Sequence, residues 1–201
     1  WNTACAAGDG RACTWLLEGR VQGTDRCEAL SASCRQEQPL ACALLVKHRA
    51  SGECTAEDEG RRLAAFACEH NETEGCYQWA RISASVSTPV ATTLRDRLTW
   101  ACEGDHAKAC ALLSTWLRDG IGGPASEPLS LRFAQRACGL GEMTACMQSA
   151  DILIATSRSN EHEPTIIASL QRACDASQPN ACRRLGDIRL SGVVVTRNDD
   201  D

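Results

Sequence analysis

The feature that most constrains this chain is a cysteine pair that recurs at one fixed spacing. Two cysteines separated by seven residues occur six times, and the first cysteines of successive pairs are 29, 34, 34, 36 and 36 residues apart. Alanine precedes every one of these cysteines except Cys34, which follows Ser33, and Cys76, which follows Gly75. Self-similarity at this period is the signature of a repeat array, in which each unit needs its neighbours to bury a core.

The spacing also restricts the local structure. Residues eight apart on one α-helix lie about 12 Å apart along the axis, whereas a disulfide requires Cα atoms within about 7 Å of each other. If the paired cysteines are bonded, the chain therefore turns between them, and the intervening stretches contain the Gly, Asp, Asn and Pro residues typical of turns. Flanking stretches show the helical period, as in Leu113, Trp116 and Leu117. The sequence thus predicts an all-α, right-handed α-solenoid of about six antiparallel helix pairs, each clipped by a disulfide.

Fourteen cysteines allow on the order of 10^5 pairings, and the regular spacing favours the local ones. The predicted clips are Cys5–Cys13, Cys34–Cys42, Cys68–Cys76, Cys102–Cys110, Cys138–Cys146 and Cys174–Cys182. Cys27 and Cys54 stand outside the pattern, at the start and the end of the second helix pair. A Cys27–Cys54 disulfide would staple the open end of that pair, and the alternative is two unpaired thiols. A single domain, 1–201, is expected, with repeats at about 1–19, 24–52, 55–86, 90–120, 127–157 and 163–192.

Composition limits the classes of partner and the cellular compartments that are expected for this chain. A net charge of −5 argues against a nucleic-acid partner, which favours a basic face. No apolar run reaches the roughly 20 residues of a membrane span. Disulfides at this density indicate an oxidising compartment. Because the chain starts at Trp1 without Met, we expect a mature or trimmed fragment whose export signal has been removed.

The stretch RAC at 172–174, followed by ACRRLGDIRLSG at 181–192, resembles the Sel-like repeat, a relative of the tetratricopeptide repeat with two helices in about 36 residues. The Cys-x7-Cys clip in every unit resembles the secreted, cysteine-rich bacterial branch of that family. The resemblance covers essentially the whole chain, although the glycine of the second helix is kept only at Gly186. It implies an α-solenoid whose concave face binds peptides or proteins. Some secreted members are reported as penicillin-binding or weakly β-lactamase-active.

Motifs for catalysis are missing from the sequence. A serine β-lactamase requires Ser-x-x-Lys, but the residues three places before Lys47 and Lys108 are Leu44 and Asp105. There is no Gly-x-Ser-x-Gly elbow, no phosphate-binding loop and no His-Glu-x-x-His pair. The four histidines are scattered, and the disulfides consume the thiolates that zinc would need. We therefore expect no catalytic residue, no metal and no cofactor.

Equivalent positions on the first helix of each pair are the most informative about where a partner binds. In tetratricopeptide-like arrays these helices line the concave face, so equivalent positions on successive repeats form a row across it. The row two places before each first cysteine consists of Thr3, Ala32, Phe66, Trp100, Arg136 and Arg172. Its neighbours one turn earlier include Leu63, Arg97, Phe133 and Ser169. Because aromatic and arginine side chains are common interface anchors, Phe66, Trp100, Arg136, Arg172, Arg97 and Phe133 are predicted to contact a partner.

The alternative is that the aromatic residues of the row pack between repeats and the arginines are merely solvated. Tryptophans on the second helices, Trp15, Trp79 and Trp116, have core-like spacing and are predicted to fill the space between repeats.

The predicted function is a non-catalytic protein–protein interaction scaffold in an extracytoplasmic assembly, which is periplasmic, associated with the outer membrane or secreted. One alternative is a binder or hydrolase of cell-wall or β-lactam compounds, which follows from the resemblance alone. A second alternative is an assembly factor of the mitochondrial intermembrane space, another compartment that tolerates disulfides.

Overall fold

The computed structural model describes residues 24–54, 59–83, 88–156 and 162–191. Across these ranges the regular structure is entirely helical, with ten α-helices and no strand. The all-α fold predicted from the sequence is therefore confirmed for the described part of the chain.

The chain divides into two compact units, and the boundary lies between Gly104 and Asp105. The helices of the first unit are α1 (Thr24–Arg35), α2 (Pro39–Ala50), α3 (Gly60–Glu69), α4 (Thr73–Ile82) and α5 (Thr88–Glu103). Those of the second unit are α6 (Ala107–Asp119), α7 (Glu127–Gly139), α8 (Met143–Thr156), α9 (Glu163–Asp175) and α10 (Pro179–Ser191). Within each unit every helix packs against the next one in the chain, and α2 also contacts α4.

The turn inside each helix pair contains one residue with a left-handed backbone. This residue always stands three places after the first cysteine. The five described examples are Glu37, Asn71, Asp105, Gly141 and Ser177, with φ angles of 58°, 64°, 61°, 94° and 61°. A left-handed residue just after a helix reverses the chain and ends the helix.

The hydrogen bonds of these turns are those of a Schellman motif. The residue after the left-handed one donates its N–H to the carbonyl of the residue before the first cysteine. Glu72 donates in this way to Ala67 over 3.0 Å, and Gln178 donates to Ala173 over 3.0 Å. This arrangement satisfies a carbonyl at the end of the first helix and leads directly into the second helix.

Disulfides close the turns of the helix pairs. The Cα–Cα distances are 4.7 Å for Cys34–Cys42, 4.4 Å for Cys68–Cys76, 4.6 Å for Cys138–Cys146 and 4.6 Å for Cys174–Cys182. Cys27 and Cys54 are joined across 5.6 Å, at the opposite end of their helix pair from the Cys34–Cys42 clip. Cys102 and Cys110 are also disulfide-bonded. The predicted Cys5–Cys13 clip and Trp15 lie outside the described residues.

Small residues before the cysteines let the paired helices approach closely. The alanines at 67, 137 and 173, before first cysteines, and at 41, 145 and 181, before second cysteines, are completely buried. In α4 the corresponding residue is Gly75, and a Cβ there would lie 2.6 Å from the Cβ of Ala67 and 2.9 Å from the backbone nitrogen of Cys68. The recurring alanine of the sequence motif is thus a packing requirement, and at Gly75 even alanine is too large.

The cores of the two units follow the helical period predicted for the second helices. In the second unit Trp116 is 1% exposed, and a separate cluster joins Leu153, Ile166, Leu170 and Leu185. In the first unit Trp79 is half-buried and packs against the cluster formed by α1, α2 and α3. The predicted core role of Trp116 is therefore confirmed, while Trp79 lies at the edge of its core.

Candidate binding groove

Three described positions of the predicted row belong to the first unit, one on each of α1, α3 and α5, while Thr3 lies outside the described residues. Ala32 and Phe66 are half-buried, and Phe66 packs against the core of the unit. The ring of Phe66 lies 4.3 Å from the imidazole of His70, measured between centroids. Trp100 is 37% exposed, so its indole forms part of the surface of α5. Arg97, one turn earlier on α5, is half-buried.

The row continues with Arg136 and Arg172 in the second unit, where each arginine bonds to a residue at a turn. Arg136 donates a hydrogen bond to the Asp105 carboxylate over 2.8 Å, and Arg172 contacts the carbonyl of Cys138 over 3.4 Å. Each of these arginines therefore contacts the preceding helix pair at its turn: Arg136 of α7 contacts the turn before α6, and Arg172 of α9 contacts the end of α7, where the next turn begins. Phe133 is half-buried.

A groove opens beside Phe66 in the first unit. It contains a cavity of about 350 Å³ between α1, α2 and the beginning of α3. Its apolar lining consists of the Cys34–Cys42 disulfide, Leu45, Leu63 and Phe66. A second cavity of about 450 Å³ lies next to it and shares Arg35, Arg49, Leu45 and Ser31 with the first. We call the two cavities together the arginine groove.

Charged side chains surround the arginine groove. Arg35 is exposed at the end of α1, and Arg49 is half-buried near the end of α2. Arg62 lies on the far side and forms an ion pair with Glu59 over 3.0 Å. Glu37 lines the first cavity and Glu28 lines the second. The groove therefore combines an apolar floor with cationic walls and a few carboxylates at its rim.

The Cys27–Cys54 disulfide borders the second cavity and is flanked by a polar cluster. The carboxylate of Glu53 lies 2.9 Å from His48 Nδ1, 3.1 Å from the Ser51 hydroxyl and 3.3 Å from Arg26. The hydrogen bond from Ser51, together with His48 and Arg26, lowers the pKa of Glu53. Desolvation of the Glu53 carboxylate raises the pKa, but the net shift is downward. This cluster fixes the short segment that carries Cys54 against the start of α1.

Comparison with solved structures identifies the fold. A protective antigen present in uropathogenic Escherichia coli strains, displaying an SLR fold, matches with a TM-score of 0.77 at 14% sequence identity. The match covers 99% of this chain and 43% of the antigen, so the chain spans less than half of that protein. A Sel1 repeat protein from Oxalobacter formigenes matches with a TM-score of 0.73 at 15% identity, covering 100% of this chain and 83% of that one.

The chain has the Sel1-like repeat fold. The expectation drawn from the residues at 172–174 and 181–192 is thereby confirmed for the fold. No protein-family model matches the sequence, and no curated protein matches it either.

Within this Sel1-like repeat fold, the described residues contain no group of three or more His, Cys, Asp or Glu side chains placed to hold a metal ion. None of the described helices is long and apolar enough to cross a bilayer. Burial raises the pKa of Glu72, at the beginning of α4. Neither Glu72 nor Glu53 lines the arginine groove.

The arginine groove was not predicted from the sequence, although two signals for it are present. Arg49 stands seven residues after the second cysteine of its pair, where α6 and α8 carry the buried residues Leu117 and Leu153. The same register holds Ser83 after α4 and the exposed Arg189 in α10, so it is apolar only in α6 and α8, and Arg49 is a weak signal of the groove. Ala32 is the second signal, because the row positions that follow it are occupied by Phe66 and Trp100.

Proposed function

We propose that this chain is a non-catalytic scaffold that binds a protein partner in an extracytoplasmic assembly. In this proposal the partner contacts the face formed by the first helices of the repeats, and that face is the concave one. Trp100 carries the proposal, since it presents more than a third of its surface on α5. We further propose that six repeats form one array over residues 1–201.

The chemistry of the row supports this proposal. Tryptophan and arginine are over-represented among the residues that dominate binding energy at protein interfaces. Trp100 is an exposed indole on a first helix, and Arg97 is the half-buried guanidinium one turn before it. Stacked repeats create extended surfaces that suit protein or peptide partners.

Two arginines of the second unit, Arg136 and Arg172, also belong to the predicted row and are proposed to contact the partner. The side chain of Arg136 is 43% exposed while it is bonded to Asp105. A guanidinium is a planar group with five N–H donors, and in this proposal the guanidinium groups of both arginines contact the partner. In this arrangement Arg136 and Arg172 reach the partner from fixed positions, which reduces the entropy lost on binding. Phe133 supplies the apolar element of this part of the surface.

The disulfides support the extracytoplasmic part of the proposal. All cysteines among the described residues are disulfide-bonded, and such bonds persist in the periplasm, at cell surfaces and in secreted proteins. The same bonds leave no cysteine thiolate among those residues for metal binding or nucleophilic chemistry.

Selection from a displayed peptide library tests the proposal. The oxidised protein is immobilised, enriched peptides are synthesised, and their affinities are measured for wild type and for Trp100→Ala. We expect at least a tenfold weaker affinity for Trp100→Ala with an unchanged far-UV circular dichroism spectrum. Leu190→Ala is the matched control, because Leu190 is an exposed apolar residue on a second helix, 89% exposed, and it is expected to leave binding unchanged. Ligands that bind Trp100→Ala as tightly as wild type contradict the proposal.

A further inference from the structure

We propose that the arginine groove of the first unit binds an extended segment of the partner that presents one large apolar side chain next to one carboxylate. The apolar side chain enters the cavity beside Phe66, and the carboxylate lies against Arg35. This inference rests on the proposed function and assigns the chemistry that the scaffold recognises.

The size of the cavity beside Phe66 fits one side chain. Its volume of about 350 Å³ is at the low end of the range of about 300–1,000 Å³ found for ligand sites. Leu45, Leu63 and the Cys34–Cys42 disulfide provide apolar contacts on several sides. In this proposal a phenylalanine-sized group occupies the cavity.

Two departures from the repeat pattern create the groove. Ala32 on α1 occupies the row position at which α3 has Phe66 and α5 has Trp100, so a large side chain is missing from the wall of the second cavity. Arg49 on α2 occupies the register in which α6 and α8 bury leucines. The combination of a small residue at position 32 and an arginine at position 49 reduces the apolar volume and places a guanidinium in the wall of the groove.

The charges of the groove select for a single carboxylate. Arg35 lies at the exposed end of α1 and lines both cavities, and half-buried Arg49 lines both as well. A guanidinium binds a carboxylate through charge-assisted, bidentate hydrogen bonds. Glu28 and Glu37 also line the groove, and their charges oppose a run of several acidic residues. The groove therefore favours an apolar residue with one acidic neighbour over a polyacidic segment.

Three fluorescein-labelled heptapeptides in a Gly/Ser background test the inference by fluorescence anisotropy. One contains Phe-Asp, the second contains Phe-Asn and the third contains Ser-Asp. The full chain of 201 residues is expected to bind the Phe-Asp peptide at least tenfold more tightly than either of the others. Arg35→Gln is expected to weaken binding of the Phe-Asp peptide at least tenfold and to remove its advantage over the Phe-Asn peptide.

Two further variants make the result decisive. Arg35→Glu is expected to bind a Phe-Lys peptide more tightly than the Phe-Asp peptide, which a merely destabilised chain would not do. Arg183→Glu changes charge equally at an exposed position of α10 and is expected to leave all affinities unchanged. The inference is overturned if the Phe-Asp peptide fails to bind, if the three peptides bind equally, or if Arg35→Gln has no effect.

The failure of this inference is distinguishable from the failure of the proposed function. If library-selected peptides depend on Trp100 while Arg35→Gln leaves every affinity unchanged, the groove assignment is wrong and the scaffold proposal stands. If the Phe-Asp peptide depends on Arg35 while selected ligands bind Trp100→Ala normally, the row is wrong and the groove remains the binding site.

Discussion

Gly75 faces Ala67 so closely that a Cβ added to Gly75 would lie 2.6 Å from the Cβ of Ala67. The same Cβ would lie 2.9 Å from the backbone nitrogen of Cys68, and backbone atoms cannot move aside as a flexible side chain can. The approach of α3 and α4 is therefore set by the absence of a side chain at position 75.

Gly75→Ala is expected to destabilise the protein by about 1–3 kcal/mol, the usual cost of overpacking. Urea unfolding of the oxidised protein measures the effect. Gly186→Ala is the matched control, because nothing lies within 4 Å of a Cβ at that helical position. There alanine should stabilise the helix by roughly 0.5–1 kcal/mol. Equal effects of the two substitutions would show that helix propensity, and not packing, governs position 75.

The left-handed turn residue gives a second pair of substitutions. Gly141 has a φ angle of 94°, whereas Gly139, two residues earlier, does not have a left-handed backbone. Both positions are open, with nothing within 4 Å of an added Cβ. Because a left-handed conformation costs a residue with a side chain about 1–2 kcal/mol, Gly141→Ala should lower the free energy of unfolding by that order. Gly139→Ala should not lower it, and a comparable loss there would contradict the argument.

The sequence predicted that the chain turns between paired cysteines, but it did not predict which residue of the turn has a left-handed backbone. The seven residues between paired cysteines indicated a reversal, but the left-handed position is occupied by Glu37, Asn71, Asp105, Gly141 and Ser177. Glycine, asparagine and aspartate adopt such a backbone readily, whereas glutamate and serine do not, so residue type alone does not mark the position. The Schellman hydrogen bonds enforce it once the disulfide and the two helices are in place.

The candidate site shows where prediction from sequence ends. Trp100 and Phe66 were predicted as partner contacts from the repeat register, which is a property of the sequence, and that role stays a prediction. The arginine groove was missed because a cavity depends on how α1, α2 and α3 pack, and no linear pattern expresses that volume. Arg136 and Arg172 were predicted as partner contacts or solvated residues, and neither interpretation anticipated that they bond to Asp105 and to the carbonyl of Cys138.

The two tryptophans Trp100 and Trp116 are expected to differ sharply in their effect on stability. Trp116 is 1% exposed, whereas Trp100 is 37% exposed. Trp116→Ala should therefore cost about 3–5 kcal/mol, as large-to-small substitutions in cores do, and Trp100→Ala should cost much less. Chemical unfolding of both variants provides the comparison. A loss for Trp100→Ala as large as that for Trp116→Ala would assign Trp100 to packing and would remove it from the proposed interface.

Glu72 predicts a specific dependence of stability on pH. Burial raises its pKa in the folded protein above the ordinary value, so the folded state favours the neutral form. Its contribution is therefore present at pH values below the unfolded-state pKa, and it is lost as the pH rises through the folded-state pKa. Glu72→Gln should raise the urea midpoint at pH 7 and give no gain at about pH 3.5, where most glutamates are protonated.

The matched control for Glu72 is Glu142→Gln. Glu142 stands at the equivalent position before α8, where its carboxylate accepts a hydrogen bond from the Thr144 hydroxyl over 2.7 Å. No stabilisation at pH 7 is expected for that variant. If Glu72→Gln lowers the urea midpoint at pH 7, the charge of Glu72 stabilises the start of α4 and the burial argument fails.

Nonreducing peptide mapping tests the central claim most directly, because the disulfide-clipped helix pairs underlie the fold, the compartment and the groove. After alkylation of any free thiols and proteolysis, the predicted result is seven linked peptide pairs and no alkylated cysteine. Six links join cysteines separated by seven residues, from Cys5–Cys13 to Cys174–Cys182, and the seventh joins Cys27 to Cys54. Links between different repeats, or alkylated cysteines at the clip positions, would contradict the account.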